Sequence, residues 1–109
     1  MLKKNYEFKQ VLTKGNSFSG KYIKAVILKK NIKSNFLGIA VCKKIGKAVE
    51  RNRIKRLLRE NYKIMESYIE KGYLILFLIK NGVNSKDIDF WKLNKDIIKI
   101  FETAKIMKE

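Results

Sequence analysis

The feature that most constrains the fold is an uninterrupted apolar run of seven residues, Tyr73 to Ile79. The run is bounded by Gly72 before it and by Asn81-Gly82 after it, and it is short enough to favour a strand over a helix. Alternate side chains of a strand point to opposite sides of a sheet, so a strand without polar residues must be buried on both faces. The run therefore predicts a strand in the middle of a sheet that is covered on both sides.

The segments before this strand alternate between helical and β-rich patterns. A first helix is predicted over residues 5 to 14, capped by Asn5 and ended by Gly15. Two β-rich segments follow, Phe18 to Lys30 and Phe36 to Lys43, separated by a polar stretch that suits a turn. They predict two antiparallel strands, with an additional short strand near Phe18 as an alternative.

Two longer helices complete the pattern. From Gly46 to the residue before Gly72, apolar residues recur at three- and four-residue spacing, namely Ile54, Leu57, Leu58, Tyr62, Met65, Tyr68 and Ile69. Ser85 is predicted to cap the last helix, with Asp87 and Asp89 in its first turn. The expected core residues of this last helix are Trp91, Ile97, Ile98, Phe101 and Ala104.

The chain of 109 residues is long enough for one domain with a modest core. No linker or internal repeat divides it, so residues 1–109 are predicted to form a single domain. The element order α-β-β-(β)-α-β-α places the domain in the α+β class, with a mixed sheet of about four strands.

Charge is the strongest indication of function. The chain has 26 Lys and Arg residues and 10 Asp and Glu residues, which gives a formal net charge of +16. A compact domain this positive repels itself, which favours a polyanionic partner: nucleic acid first, an anionic membrane surface second. The apolar run is far shorter than the roughly 20 residues that span a bilayer, and no leader opens the chain, so we expect a cytoplasmic protein without a membrane partner.

The residue types that commonly carry protein catalysis are scarce. Histidine is absent and Cys42 is the single cysteine, so we predict no catalytic residue and no metal site in the protein itself. Asp87 and Asp89 suit the dipole of a helix better than a metal ion. For Cys42 we favour a small, mostly buried thiol, and for Trp91 a core position over an RNA-stacking platform.

Basic residues concentrate in the segment that carries the long helix. Nine of them lie between residues 43 and 63 against two acidic residues, Glu50 and Glu60. A helical projection places most of them away from the apolar stripe. A solvated face is the alternative, but like charges at i, i+4 spacing destabilise a helix that has no anionic partner. The predicted RNA-binding residues are Lys43, Lys44, Lys47, Arg51, Asn52, Arg53, Lys55, Arg56 and Arg59.

The residue pattern of this segment indicates a protein family more specifically than its charge does. Between Val41 and Glu60, beginning at Lys43, the chain reads Lys-Lys-x-Gly-x-Ala-Val-x-Arg-Asn-Arg-x-Lys-Arg. This pattern closely resembles the signature of the bacterial ribonuclease P protein family. The resemblance extends more weakly to the first helix, the strand order and the chain length.

The resemblance implies both a fold and a function. It implies an α/β sandwich like the second domain of ribosomal protein S5, with an unusual left-handed β-α-β crossover around the basic helix. It also implies that the Arg51-Asn52-Arg53 segment and its helix face the catalytic RNA subunit of ribonuclease P. That RNA would cleave precursor tRNA using Mg²⁺ bound mainly by RNA, and the protein would act as an accessory subunit without a small-molecule substrate.

A separate cleft is implied for the single-stranded 5′ leader of precursor tRNA. Alternation from Leu37 to Lys44 puts the small residues Gly38, Ala40 and Cys42 on one face, together with Lys44. Beside that face, a leader base could stack or pack on the candidates Phe8, Leu12, and Tyr22 or Val26. Phe8 and Leu12 have ordinary core packing as an equal alternative.

Composition alone leaves a second function open, that of a structural ribosomal-type RNA-binding protein that takes no part in a reaction. The Arg-Asn-Arg signature favours the ribonuclease P function. In either case we expect Arg53 and Arg56 to be exposed, so that replacing either would weaken RNA binding and leave the fold intact.

Overall fold

The computed structural model describes the backbone of residues 5–108 and the side chains of residues 9–108. The helices are α1 (Asn5–Lys14), α2 (Ala48–Met65) and α3 (Phe90–Ala104). The strands are β1 (Asn16–Ser19), β2 (Ile23–Lys29), β3 (Phe36–Ala40) and β4 (Tyr73–Ile79). Short 3₁₀ helices cover Lys43–Ile45, Glu66–Tyr68 and Ser85–Asp87. The α+β class and the mixed four-stranded sheet are confirmed.

The sheet has the strand order β1-β2-β4-β3, so the apolar strand β4 lies inside it as predicted. β2 pairs antiparallel with both β1 and β4, whereas β3 pairs parallel with β4. The two β-rich segments predicted as antiparallel strands, β2 and β3, do run in opposite directions, but β4 lies between them. The chain leaves β3, passes through α2 and returns as the neighbouring parallel strand β4; the left hand of this crossover stays a prediction from the resemblance.

Both faces of the sheet are covered, as the apolar run requires. The larger core lies between one face and the helices α2 and α3, where Phe77 of β4 packs 6.1 Å from Phe101 and 6.4 Å from Tyr62, measured between ring centroids. A smaller core on the other face joins Val11 of α1 to Val26, Leu74 and Leu76. α1 covers this second face only in part, since Leu28, Ala40 and Leu78 there are half-buried.

Gly15 allows α1 to end directly against the sheet. A Cβ atom at this position would lie 2.6 Å from the carbonyl oxygen of Val11 and 2.7 Å from a methyl group of Val26. Only a residue without a side chain permits this approach. The glycine predicted to end the first helix therefore also sets its distance from β2.

The ends of the two long helices differ in detail from the prediction. α2 begins at Ala48, where the Lys47 N–H donates to Glu50 Oε2 over 3.1 Å, and it gives way to a 3₁₀ turn after Met65. α3 is capped by Asp89, whose carboxylate accepts a hydrogen bond from the Lys92 N–H at 2.9 Å. The prediction of a Ser85 cap is wrong, because Ser85 belongs to a separate 3₁₀ turn capped by Asn84.

The predicted core positions of α2 and α3 are mostly correct. Ile97 and Phe101 are fully buried, while Ile98 and Ala104 are half-buried at the edge of the core. The prediction that Trp91 and Tyr68 are core residues is wrong. Both side chains are exposed, that of Trp91 by 71%. Tyr68 lies in the 3₁₀ turn beyond the end of α2, where the helical spacing no longer applies.

One buried carboxylate ties α3 to the sheet. Asp96 accepts hydrogen bonds from three successive backbone N–H groups, those of residues 21, 22 and 23, at 2.9, 2.6 and 3.1 Å. These groups belong to the turn that leads into β2 and to the first residue of that strand. A carboxylate that receives three donors can be buried without an ion pair.

Candidate RNA interface

α2 supplies the base of the candidate interface. Its buried side is formed by Ile54, Leu58, Asn61, Tyr62 and Met65. The amide of Asn61 is completely buried and donates to the carbonyl oxygens of Leu57 and Phe90, while its own oxygen accepts from Asn94. Because these residues are held in the core, the opposite side of α2 points to solvent.

Most of the predicted RNA-binding residues are exposed on that outward side and on the 3₁₀ turn before it. The exposed ones are Lys43, Lys44, Lys47, Asn52, Arg56 and Arg59. Arg51, Lys55 and Arg53 are half-buried. The structure therefore places all nine within one continuous stretch of surface or its border, with Lys43 and Lys44 at one end.

Arg53 is bonded within the protein. Its guanidinium donates through Nη1 to the Ile88 carbonyl oxygen at 3.1 Å and through Nη2 to the Ser85 carbonyl oxygen at 2.8 Å. The expectation that Arg53 is a freely exposed side chain is wrong, because the 85–88 segment folds back over α2. Arg53 holds that segment in place.

Arg56 behaves as expected. Its side chain is 66% exposed, and its contact within the described residues is a loose ion pair with Glu60 at 3.8 Å. An exposed pair of this kind contributes little to stability. Arg56 also lines a shallow depression of about 450 Å³ with Val49, Asn52 and Arg53, on the outer side of the first turns of α2.

A second surface lies on the opposite face of the sheet, where α1 leaves the strands partly open. Leu12 is 53% exposed and lines a groove of about 490 Å³ with Lys24, Leu78 and Lys80. A larger groove of about 750 Å³ contains Cys42 and Lys44 beside the turn at residues 81–84. The two grooves share Ile79 and Asn81, so they form one surface, which we call the cleft.

The predicted cleft residues are only partly brought together. Leu12, Cys42 and Lys44 line the cleft, and Cys42 is exposed, so the expectation of a mostly buried thiol is wrong. Val26 is on the correct face but is 4% exposed beneath Val11. The side chain of Phe8 lies outside the described residues.

Tyr22 belongs to the other side of the molecule. It packs against the core beneath α2 and α3, and the Lys92 ammonium lies 5.8 Å from its ring centroid. The Tyr22 N–H is one of the donors to Asp96. The expectation that Tyr22 flanks the cleft is therefore wrong, because the turn before β2 directs it toward α3.

Several cleft residues were missed from the sequence, among them the polar residues Lys24, Lys80 and Asn81. Lys24 shares a strand face with Val26, and that alternation could have revealed it. Lys80 and Asn81 directly follow the buried strand β4, and functional side chains commonly lie at the ends of strands. The Lys80 ammonium donates to the Gly20 carbonyl oxygen at 3.1 Å, which holds it at the rim.

Neither surface contains a cluster of metal ligands. Within the described part of the chain, no three carboxylate or cysteine side chains lie close together. No helix among residues 5–108 is long and apolar enough to cross a membrane. What the two surfaces offer is lysine and arginine cations, amide groups and small apolar patches, the chemistry that contacts phosphate and bases.

Comparison with known proteins identifies the family of the chain. The family model described as Ribonuclease P matches residues 1–105. The chain belongs to the ribonuclease P protein family. The signature between Val41 and Glu60 thus indicated the correct family, and the chain is a protein subunit of ribonuclease P, an RNA-binding member of a tRNA-processing endoribonuclease.

Relatives of similar length support this assignment. The ribonuclease P protein component of Dictyoglomus thermophilum is 41% identical over 108 residues, covering 99% of this chain and 90% of the relative. That of Natranaerobius thermophilus is 34% identical over 108 residues, covering 99% and 92%. The sequence left two functions open, a ribonuclease P protein subunit and a structural ribosomal-type RNA-binding protein. These matches confirm the ribonuclease P subunit.

Solved ribonuclease P proteins have the same fold. The Staphylococcus aureus protein superimposes with a TM-score of 0.85 at 30% identity, covering 98% of this chain and 96% of the other. The Thermotoga maritima protein gives a TM-score of 0.84 at 27% identity, covering 94% of both chains.

Proposed function

We propose that the outward side of α2 binds the catalytic RNA subunit of ribonuclease P, while the cleft holds the 5′ leader of precursor tRNA. The observation that carries this proposal is the division of cations between two faces of one sheet. Arg56, Arg59 and their neighbours lie on the α2 side, whereas Lys24 and Lys80 line the cleft on the α1 side. One small domain can then contact two RNAs at once.

In this proposal, catalysis resides in the RNA. The described residues include no group of three carboxylate or cysteine side chains, and Mg²⁺ prefers oxygen ligands such as RNA phosphates, which supports assigning the ion to RNA. Magnesium would be held mainly by RNA phosphates in the cytoplasm. The protein contributes positive charge and leader binding, and we expect it to be inactive alone.

Salt dependence follows from the number of exposed cations. Six basic side chains between residues 43 and 63 are exposed: Lys43, Lys44, Lys47, Arg56, Arg59 and Lys63. About six phosphate contacts predict a slope near −4 to −5 when log affinity is plotted against log salt concentration. A slope near zero would refute an interface built on phosphate.

The decisive experiment is cleavage of a leader-bearing precursor tRNA by a bacterial ribonuclease P RNA at low Mg²⁺ concentration. We expect cleavage only when RNA and protein are both present, and none with protein alone. A protein that binds the RNA without rescuing cleavage would contradict the accessory role. Binding of leader-bearing and leaderless tRNA by the holoenzyme would then test the cleft separately.

A further inference from the structure

Trp91 is the large apolar side chain of α3 that lies in solvent, whereas Leu93, Ile97 and Phe101 are buried. It is 71% exposed at the first turn of α3, and its ring packs edge-on against Phe90 with centroids 5.0 Å apart and an interplanar angle of 85°. That contact limits the freedom of the indole while leaving most of its surface in solvent. A large aromatic side chain held in this way is costly to expose and is characteristic of interaction surfaces.

The chain around Trp91 is anchored to α2 by two backbone carbonyl groups before it and by one side chain after it. Arg53 donates to the Ile88 carbonyl oxygen, and Asn61 donates to that of Phe90 at 3.3 Å. Asn94, one turn later, donates to Asn61 at 2.9 Å. Trp91 therefore lies at the junction of α2 and α3, in the helical layer that carries the basic side of α2.

Lysines continue from Trp91 along the exposed side of α3. Lys95 and Lys99 follow at i+4 and i+8, opposite the buried positions Leu93, Ile97 and Ile100. On an α-helix these three positions are about 6 Å apart and span about 12 Å. We call Trp91, Lys95 and Lys99 the α3 stripe.

Most of the nearby acidic groups point away from the stripe or are bonded elsewhere. The Asp89 carboxylate caps α3, and that of Asp96 is buried with three backbone donors. Asp87 precedes the helix, and Glu102, at i+3 from Lys99 on the same side of α3, borders the stripe at its far end. Lys92, beside the stripe, has its ammonium over the ring of Tyr22.

We propose that the α3 stripe extends the RNA interface of α2, with an unpaired base of the catalytic RNA stacked on Trp91 and phosphates of the same strand on Lys95 and Lys99. An aromatic platform combined with a row of cations is the arrangement that binds single-stranded RNA. This inference rests on the proposed function. The occupant is the catalytic RNA because the stripe shares the helical layer of α2, whereas Leu12 and Lys24 of the cleft lie on the α1 side of the sheet.

The chain's single tryptophan makes the test direct. Trp91 fluorescence, excited selectively, is followed while the ribonuclease P RNA is added to the intact protein, and binding is measured independently by filter retention. We expect quenching that saturates together with binding, and reduced quenching by acrylamide in the complex. Trp91→Ala should weaken binding about 5- to 150-fold, the range for one base stacked on an aromatic ring.

Matched variants separate stacking from other effects. Trp91→Phe keeps a stacking surface and should retain most of the affinity, whereas Tyr68→Ala removes an exposed aromatic beyond the far end of α2 and should change nothing. Lys95→Ala and Lys99→Ala should each reduce the salt slope by about one. Circular dichroism and thermal unfolding of each variant confirm that it is folded.

Three outcomes would overturn the inference, and they are distinguishable. RNA binding with unchanged Trp91 fluorescence and unaltered affinity of Trp91→Ala would refute the stripe while leaving the proposed function intact. Absence of RNA binding by the unmodified protein would refute the proposed function itself. Self-association that depends on Trp91, without quenching by RNA, would assign the surface to a protein partner instead.

Discussion

Replacing Arg53 by alanine tests the structure where it departs most from the sequence-based expectation. The change removes two charge-assisted hydrogen bonds, of 3.1 and 2.8 Å, and leaves the carbonyl oxygens of Ile88 and Ser85 without these donors. Hydrogen bonds to charged groups contribute about 1.5–3 kcal/mol each. Because the guanidinium is half-buried and water can partly replace it, we expect a loss of about 2–4 kcal/mol for both together.

The expected loss is large enough to measure by thermal unfolding. For a domain of this size, 1 kcal/mol corresponds to about 4 °C in Tm, so Arg53→Ala should lower Tm by about 8–16 °C. Arg53→Lys keeps the charge but loses the planar fork, and should lie between alanine and arginine. Urea unfolding at one temperature gives the free energy independently.

Arg56→Ala is the matched control, three residues along the same helix. Its ion pair with Glu60 is loose and exposed, so the free energy of unfolding should change by less than about 0.5 kcal/mol. Its affinity for the catalytic RNA should nevertheless fall, with a salt slope reduced by about one. If both variants unfolded within about 2 °C of the unmodified protein, the bonds from Arg53 to the 85–88 segment would be refuted.

Three further changes test other parts of the molecule. Asp96→Ala should cost about 3–5 kcal/mol in urea unfolding, because three backbone N–H groups lose their acceptor; a loss below 1 kcal/mol would contradict this. Burial raises the pKa of Tyr62 to about 12; the Glu66 carboxylate adds to this shift and the Asn35 amide opposes it. The stability that is present below pH 10 should therefore fall as the pH rises toward 12. Tyr62→Phe should remove that part of the decline, and a matching decline in both proteins would argue against it. Leu12→Phe should strengthen holoenzyme binding to leader-bearing precursor tRNA but not to leaderless tRNA, and an equal gain for both would place Leu12 outside the leader site.

The elements predictable from sequence were those defined by local pattern. The run that forms β4 could only be a doubly buried strand, and the spacing of Ile54, Leu58 and Tyr62 required a helix with one apolar side. The outward position of Arg56 follows from the same periodicity. These features depend on neighbours within one or two turns, so the chain itself specifies them.

Features that depend on contacts distant in sequence were not predictable in this way. The insertion of β4 between β2 and β3 is decided by pairing across the whole chain, and the position of Tyr22 is decided by Asp96, 74 residues later. Trp91 is apolar, and in α3 it nevertheless lies opposite the core. The proposal that it binds RNA depends on the structure, which shows it in solvent.

The signature that identified the family combines a structural role with the proposed binding role within three residues. Arg51 is half-buried, Asn52 is exposed, and Arg53 is fixed to the 85–88 segment by two of its five N–H donors. A guanidinium anchored in this way retains its charge and free donors, and it has already lost the rotamer entropy that a free lysine would lose on binding phosphate. In the proposed interface, one fixed arginine among exposed cations would therefore be partly preorganised before RNA arrives, and Arg53 would serve both the fold and the RNA contact.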